Sequence, residues 1–185
     1  MGLILVRHTR LDVVPGLCYG QTDLDVADTF ADEAAVVLSS LPEVRRVVSS
    51  PLRRCRALAQ RIADSAGLPM DIDERFKEID FGAWEGRPWA EVPKQEIDAW
   101  AEDFLYARPH GGESVAMLRN RVGAALADWS ALNEPIVIVT HAGVIRAARN
   151  EDRDPPGGFG DPIAFGGIVA LPETGQDLTG GADHD

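Results

Sequence analysis

Leu3-Ile4-Leu5-Val6-Arg7-His8-Thr9 is the stretch from which the rest of the chain is read. An apolar run this short has the length of a strand buried on both faces, as in the middle of a parallel sheet. It is too short to span a membrane. The run stops abruptly at a cation and an imidazole, so Arg7 and His8 fall at the strand's carboxyl end. Open α/β sheets bind ligands in the crevice outside that edge.

Outward from this strand the chain alternates. A long connection over residues 10–25, with Pro15-Gly16 and Tyr19-Gly20 as turn signals, leads to a helix expected over residues 28–38 with Asp28 as N-cap. Residues 44–49 read as the second strand. Ser49-Ser50-Pro51 then opens a helix that runs to about Ser65 and exits at Gly67. Met70 to Ile72 is a short strand. Residues 78–86 form a Gly- and aromatic-rich loop, and residues 88–106 read as two short helices broken at Pro93. Val115, Leu118, Val122, Leu126 and Trp129 make the clearest helical stripe. Residues 136–139 are an apolar strand ending at Thr140-His141-Ala142-Gly143, followed by a helix over residues 144–149. Residues 151–162 read as loop, residues 168–171 as the last strand, and residues 172–185 as a polar, mobile tail. Strands alternating with helices imply βαβ units, a mostly parallel sheet and helices on both faces, in one domain over residues 1–171.

Three strand-to-helix junctions look alike: Arg7-His8, Ser49-Ser50 running into Arg53-Arg54, and Thr140-His141. A parallel sheet brings these ends to one edge, where helix N-termini favour anions. Arginine suits such a cage because its planar fork matches phosphate oxygens and stays charged. A neutral imidazole is a good nucleophile near pH 7. The expectation is that His8 attacks phosphorus while Arg7, Arg54 and His141 neutralise charge on the transferring group. A leaving alkoxide needs a proton, and Glu78, beside Ile79 and Phe81, is the best-placed acid; Asp80 and Glu85 are the alternatives. Arg53 competes with Arg54, because a helix turns ~100° per residue and both cannot face one phosphate equally.

Arg7-His8-Thr9, Ser49-Ser50-Pro51-Leu52-Arg53-Arg54, Glu78-Ile79-Asp80-Phe81-Gly82-Ala83-Trp84-Glu85-Gly86 and Thr140-His141-Ala142-Gly143 together resemble the histidine phosphatase superfamily. Each motif alone is weak, but four in order are specific. The resemblance implies a three-layer α/β/α sandwich of the phosphoglycerate mutase-like kind. It implies a phosphomonoesterase that needs neither metal nor cofactor, with His8 as the phosphorylated histidine, Arg7 and Arg54 as its arginines, Glu78 as proton donor and His141 as second histidine. Gln21, Thr140 and Ala142 are expected to complete the phosphate-binding set. The run Pro15-Gly16-Leu17-Cys18-Tyr19-Gly20-Gln21-Thr22-Asp23 is most similar to the α-ribazole phosphatase-like branch, which makes α-ribazole phosphate a candidate substrate. Three departures stand out: Thr9-Arg10 follows His8 where Gly-Glu is common, Val14 lies near the place of a mutase-type Asn, and the helix after His141 breaks into Asn150-Glu151-Asp152-Arg153-Asp154-Pro155-Pro156. Phosphoglycerate mutase-type transfer and a non-catalytic phospholigand-binding protein are the rival readings.

The totals bound the partners. The chain has 185 residues, 45% apolar and 26% charged, with a net charge of -12. So acidic a chain is a poor fit to the Lys/Arg grip that binds nucleic acid without sequence preference. No leader or transmembrane run is read, so the expectation is a cytoplasmic enzyme acting on a small phosphorylated substrate, with no membrane or nucleic-acid partner. A homodimer is left open. Cys18 and Cys55 fit neither a disulfide framework nor a zinc spacing and read as buried fillers. Trp84 and Trp89 are candidates for an aromatic wall, His110 reads as a solvated loop histidine, and Asp183-His184-Asp185 reads as polar tail rather than a metal clutch.

Overall fold

The computed structural model describes residues 2–149 and 163–172. Among these described residues five strands form one sheet: β1 (Leu3–Arg7), β2 (Arg46–Ser49), β3 (Met70–Ile72), β4 (Ile136–Thr140) and β5 (Ile168–Ala170), in the order β3-β2-β4-β1-β5. The first four run parallel, and β5 returns antiparallel along β1. Among the described residues five helices cover the sheet: α1 (Phe30–Ser40), α2 (Arg53–Ala66), α3 (Lys94–Glu102), α4 (Val115–Ser130) and α5 (Ala142–Ala148).

Side chains alternate across a strand, so each strand feeds two cores. Leu3, Leu5, Val48, Ile136 and Ile138 join Trp100, Val115, Leu118, Val122, Val144 and Ile145 of α3, α4 and α5 on one face. Ile4, Val6, Val47, Val137 and Val139 meet Ala34, Val37, Leu58, Ala59 and Ile62 of α1 and α2 on the other. The result is the three-layer α/β/α sandwich. The continuous apolar runs of β1 and β4 follow from burial on both faces.

Element ends differ from expectation by small amounts, each for a local reason. The first helix starts at Phe30, and Thr29 rather than Asp28 occupies its N-cap; the Thr29 hydroxyl donates to Glu33 Oε1 at 2.6 Å. Pro51 lies outside α2, which Leu52 caps, and Gly67 ends it in the left-handed conformation with φ 65°. Pro93 separates the 3₁₀ turn Trp89–Glu91 from α3. No described helix is long and apolar enough to cross a membrane. The acidic break after Asn150, and everything from Glu173 to the terminus, fall outside the described residues.

Register brings the functional ends level. Arg7 pairs with Thr140 and Ser49 with Val139, so His8, Ser50 and His141 emerge side by side. Two bonds extend the ladder past the strands: His8 N–H to Thr140 O and Ser50 N–H to Val139 O, both 3.0 Å.

Candidate active site

His8 is 2% exposed and sits directly after β1. Its ring Nδ1 lies 2.7 Å from the Thr9 carbonyl. A carbonyl can only accept, so Nδ1 carries the proton and Nε2 keeps its lone pair. Burial, reinforced by the positive charges of Arg54 and Arg7, pushes the His8 imidazole down to about 3. The ring is therefore neutral at pH 7, with one nitrogen fixed and the other free to attack.

His141 follows β4 and caps α5. Its ring stands edge-on to His8, with centroids 5.3 Å apart. Nδ1 accepts from Arg54 Nε at 3.3 Å, and Nε2 meets Ser50 Oγ at 2.9 Å. Burial, then the charge of Arg54, holds His141 well below the ordinary histidine value.

Arg54, in the first turn of α2, has no exposed surface. Besides Nε on His141, Nη1 donates to Thr22 O at 2.7 Å and Nη2 to Gly20 O at 2.6 Å. Its fork carries two further N–H groups. Arg53 points elsewhere: half exposed, it pairs with Asp23 at 3.2 Å and Asp25 at 3.0 Å. Arg7 donates from Nη1 to Ile163 O at 2.6 Å and lies over the Phe165 ring at 3.8 Å. Burial lowers the Arg7 guanidinium, opposed by Tyr19, which hydrogen-bonds it, and by Glu78. The Tyr19 ring also lies 5.6 Å from the Arg54 guanidinium carbon, so one aromatic side chain touches both arginines.

The Glu78 carboxylate reaches the start of α5. Oε2 accepts from Gly143 N–H at 3.0 Å and Oε1 from Ile79 N–H at 2.9 Å. A Cβ at position 143 would lie 2.2 Å from Oε1, so this approach requires glycine. The alternative acids have other partners. Asp80 accepts from Gly82 N–H at 2.7 Å. Glu85 accepts from Gln21 N–H at 2.8 Å, Thr22 N–H at 2.6 Å, Phe81 N–H at 3.1 Å and the Thr22 hydroxyl. Burial works to raise the Glu85 carboxyl, but these bonds outweigh it and hold it below the ordinary range. Glu85 thus pins the loop whose carbonyls hold Arg54.

Some of the expected residues take other roles, and the two cysteines are buried as expected. The Thr140 hydroxyl is fully buried and donates to Phe76 O at 2.9 Å, so it fastens the strand end rather than facing an anion. The Gln21 amide donates to Glu78 O at 3.3 Å and acts on the backbone of the acid's segment. Ala142 is the first residue of α5, beside His141. Trp84 is 0% exposed, a core residue whose indole donates to Glu96 at 2.6 Å, not a wall. His110 is not solvated: it is 2% exposed and packs on Trp84 with centroids 4.8 Å apart. Cys18 and Cys55 are free and buried; Cys55 Sγ lies 3.4 Å from His141 Nε2, and burial pushes its thiol up. Sequence reading missed Tyr19 and Phe165 as site neighbours. Among the described residues no group of three or more His, Cys, Asp or Glu side chains could hold a metal ion.

The arrangement offers a neutral imidazole lone pair, flanking guanidinium groups and a carboxylate at a helix start. Comparison with known proteins points the same way. The profile of the histidine phosphatase superfamily (branch 1) matches residues 3–154. A glucosyl-3-phosphoglycerate phosphatase of Mycolicibacterium vanbaalenii is 32% identical over 161 residues, covering 78% of this chain and 71% of the relative. Phosphoserine phosphatase 1 of Hydrogenobacter thermophilus is 31% identical over 78% of this chain and 72% of the relative. The adenosylcobalamin/alpha-ribazole phosphatase of Salmonella typhimurium is 28% identical over 78% of this chain and 76% of the relative. Among solved structures, a phosphoglycerate mutase from Thermus thermophilus superposes with a TM-score of 0.74 at 31% identity, covering 94% of both chains.

Proposed function

The chain belongs to the histidine phosphatase superfamily, and from that premise we propose that it hydrolyses a small phosphate monoester, without metal, through a phosphohistidine on His8. The observation that carries this reading is the His8 ring, with Nδ1–H held by the Thr9 carbonyl and Nε2 free beside two arginines. In the first step the Nε2 lone pair forms an N–P bond as the ester P–O bond breaks. Arg7, Arg54 and the His141 ring stabilise the equatorial oxygens. Glu78 gives its proton to the departing alkoxide. In the second step water attacks phosphorus, Glu78 takes a proton from it, the P–N bond breaks, and inorganic phosphate leaves with His8 neutral again.

Three observations bear on the reaction and its substrate. Val14 is 67% exposed and offers no side-chain donor where a mutase would carry one, which favours hydrolysis over return of the phosphoryl group. Two of the relatives above 30% identity are named for glucosyl-3-phosphoglycerate and phosphoserine, esters whose alcohol carries a carboxylate. Arg146, one helical turn past Gly143 on α5, adds positive potential at Arg7, which suits an anionic alcohol. That second reading stands beside α-ribazole phosphate, whose named phosphatase is the more distant relative.

The test is phosphate release in EDTA from α-ribazole phosphate, phosphoserine, glucosyl-3-phosphoglycerate, 3-phosphoglycerate and nucleotides, with His8→Ala as control. Release that depends on His8 supports the chemistry, and the best ester names the substrate class. Isomerisation of 3-phosphoglycerate faster than its hydrolysis would favour the mutase reading instead.

A further inference from the structure

We propose that Arg121, held by Glu113, is the positioning residue that aims Glu78 at the leaving group. The proposal rests on Glu78 as the proton donor. Arg121 shares the inward side of α4 with Leu118 and Ala125, which are buried, yet it is a cation. Its side chain is only 20% exposed. Nη1 donates to the carbonyls of Arg75 and Lys77, both at 2.7 Å, and Nη2 donates to the carbonyl of Glu78 at 3.0 Å. Nε and Nη2 also bind the two Glu113 carboxylate oxygens, both at 2.7 Å.

The grip has a second side. Glu113 N–H donates to the carbonyl of Asp80 at 2.8 Å. One arginine and its carboxylate partner therefore hold the carbonyls of residues 75, 77, 78 and 80. Past the 3₁₀ turn Glu74–Phe76 this segment has neither helix nor ladder, while Phe76 and Ile79 are buried in it. Its carbonyls need partners from outside the segment. The planar fork supplies several donors in one fixed geometry, which a lysine cannot. Arg121 thus holds the backbone of the residue whose carboxylate meets Gly143, and its charge also contributes to keeping His141 neutral.

A merely structural arginine and a positioning one differ in which substrates suffer. A misaimed acid hurts esters that need a proton on the leaving oxygen. The experiment is single-turnover phosphorylation of the enzyme by p-nitrophenyl phosphate and by phenyl phosphate, for wild type, Arg121→Met, Arg121→Lys, Glu113→Gln and Glu78→Gln. Arg121→Met should slow phenyl phosphate by about 10²-fold, the scale of a misplacement near 1 Å, and p-nitrophenyl phosphate far less. Arg121→Lys and Glu113→Gln should show the same pattern more weakly. Adding Arg121→Met to Glu78→Gln should cost nothing further on phenyl phosphate. Equal losses on both esters in any variant that keeps its thermal midpoint, or no loss at all, would overturn the proposal. If Glu78→Gln itself discriminates between the esters while the Arg121 variants do not, only the positioning role falls. If Glu78→Gln does not discriminate, the reading of Glu78 falls first, and the proposal with it.

Discussion

At the scale of the residue, the decisive feature is a single hydrogen bond. The Thr9 carbonyl fixes the His8 proton on Nδ1 and so directs the lone pair at Nε2. Arg54 shows how burial selects between neighbours. Arg53 and Arg54 are equivalent as letters, but Arg54 shares its helix side with Leu58 and Ile62, which are buried, and Arg53 does not. The apolar phase of α2 was visible in the sequence and could have separated them. Arg54→Ala should reduce phosphorylation by about 10²–10³-fold, the usual cost of removing one charge-stabilising donor, with the thermal midpoint measured alongside. Glu78→Gln should slow phenyl phosphate far more than p-nitrophenyl phosphate, whose leaving group needs no proton. Equal slowing in a rapid-quench assay would remove Glu78 from the acid role.

At the scale of the element, the site is made by junctions. Parallel pairing in register places His8, Ser50 and His141 on one edge. This was legible because short apolar runs ending in the same residue types are a sequence pattern. The loops were less legible. Trp84 looked like a wall residue because it lies in a Gly-rich stretch, but the 3₁₀ turn Gly82–Trp84 folds its indole into the core. Phe165 reaches Arg7 only because β5 returns antiparallel along β1, and no local pattern encodes that direction. The close approach of α5 to Glu78 gives an element-scale prediction. Gly143→Ala puts a methyl 2.2 Å from Glu78 Oε1, so the carboxylate must move. Its rate with phenyl phosphate should fall by about 10²-fold while the enzyme still forms phosphohistidine from p-nitrophenyl phosphate. Normal rates with both esters would show that the approach is not needed.

At the scale of the whole molecule, an acidic chain gathers two arginines at one sheet edge. A net charge of -12 surrounds Arg7 and Arg54. The site also makes stability depend on pH. Burial keeps His8 neutral down to about 3, and it holds His141 well below the ordinary value. In the unfolded chain both protonate near about 6.5. Below that pH the unfolded state binds protons that the native state refuses, so stability is full above about 6.5 and is lost as pH falls toward about 3. Urea unfolding at about pH 7.5 and pH 5 should show this loss, and His8→Asn with His141→Asn should make it smaller. An unchanged loss in the double variant would assign it to other groups. The two-sided core was legible from the apolar runs. The substrate was not, because relatives that share these motifs are named for different phosphate esters.

The most direct test of the central claim is to trap the phosphoenzyme. Wild-type protein is mixed with ³²P-labelled ester in EDTA, quenched in alkali and mapped by mass spectrometry. An alkali-stable, acid-labile phosphate on His8, absent from His8→Ala, is the predicted result. Turnover in EDTA with no label on His8, or label that persists in His8→Ala, would contradict it.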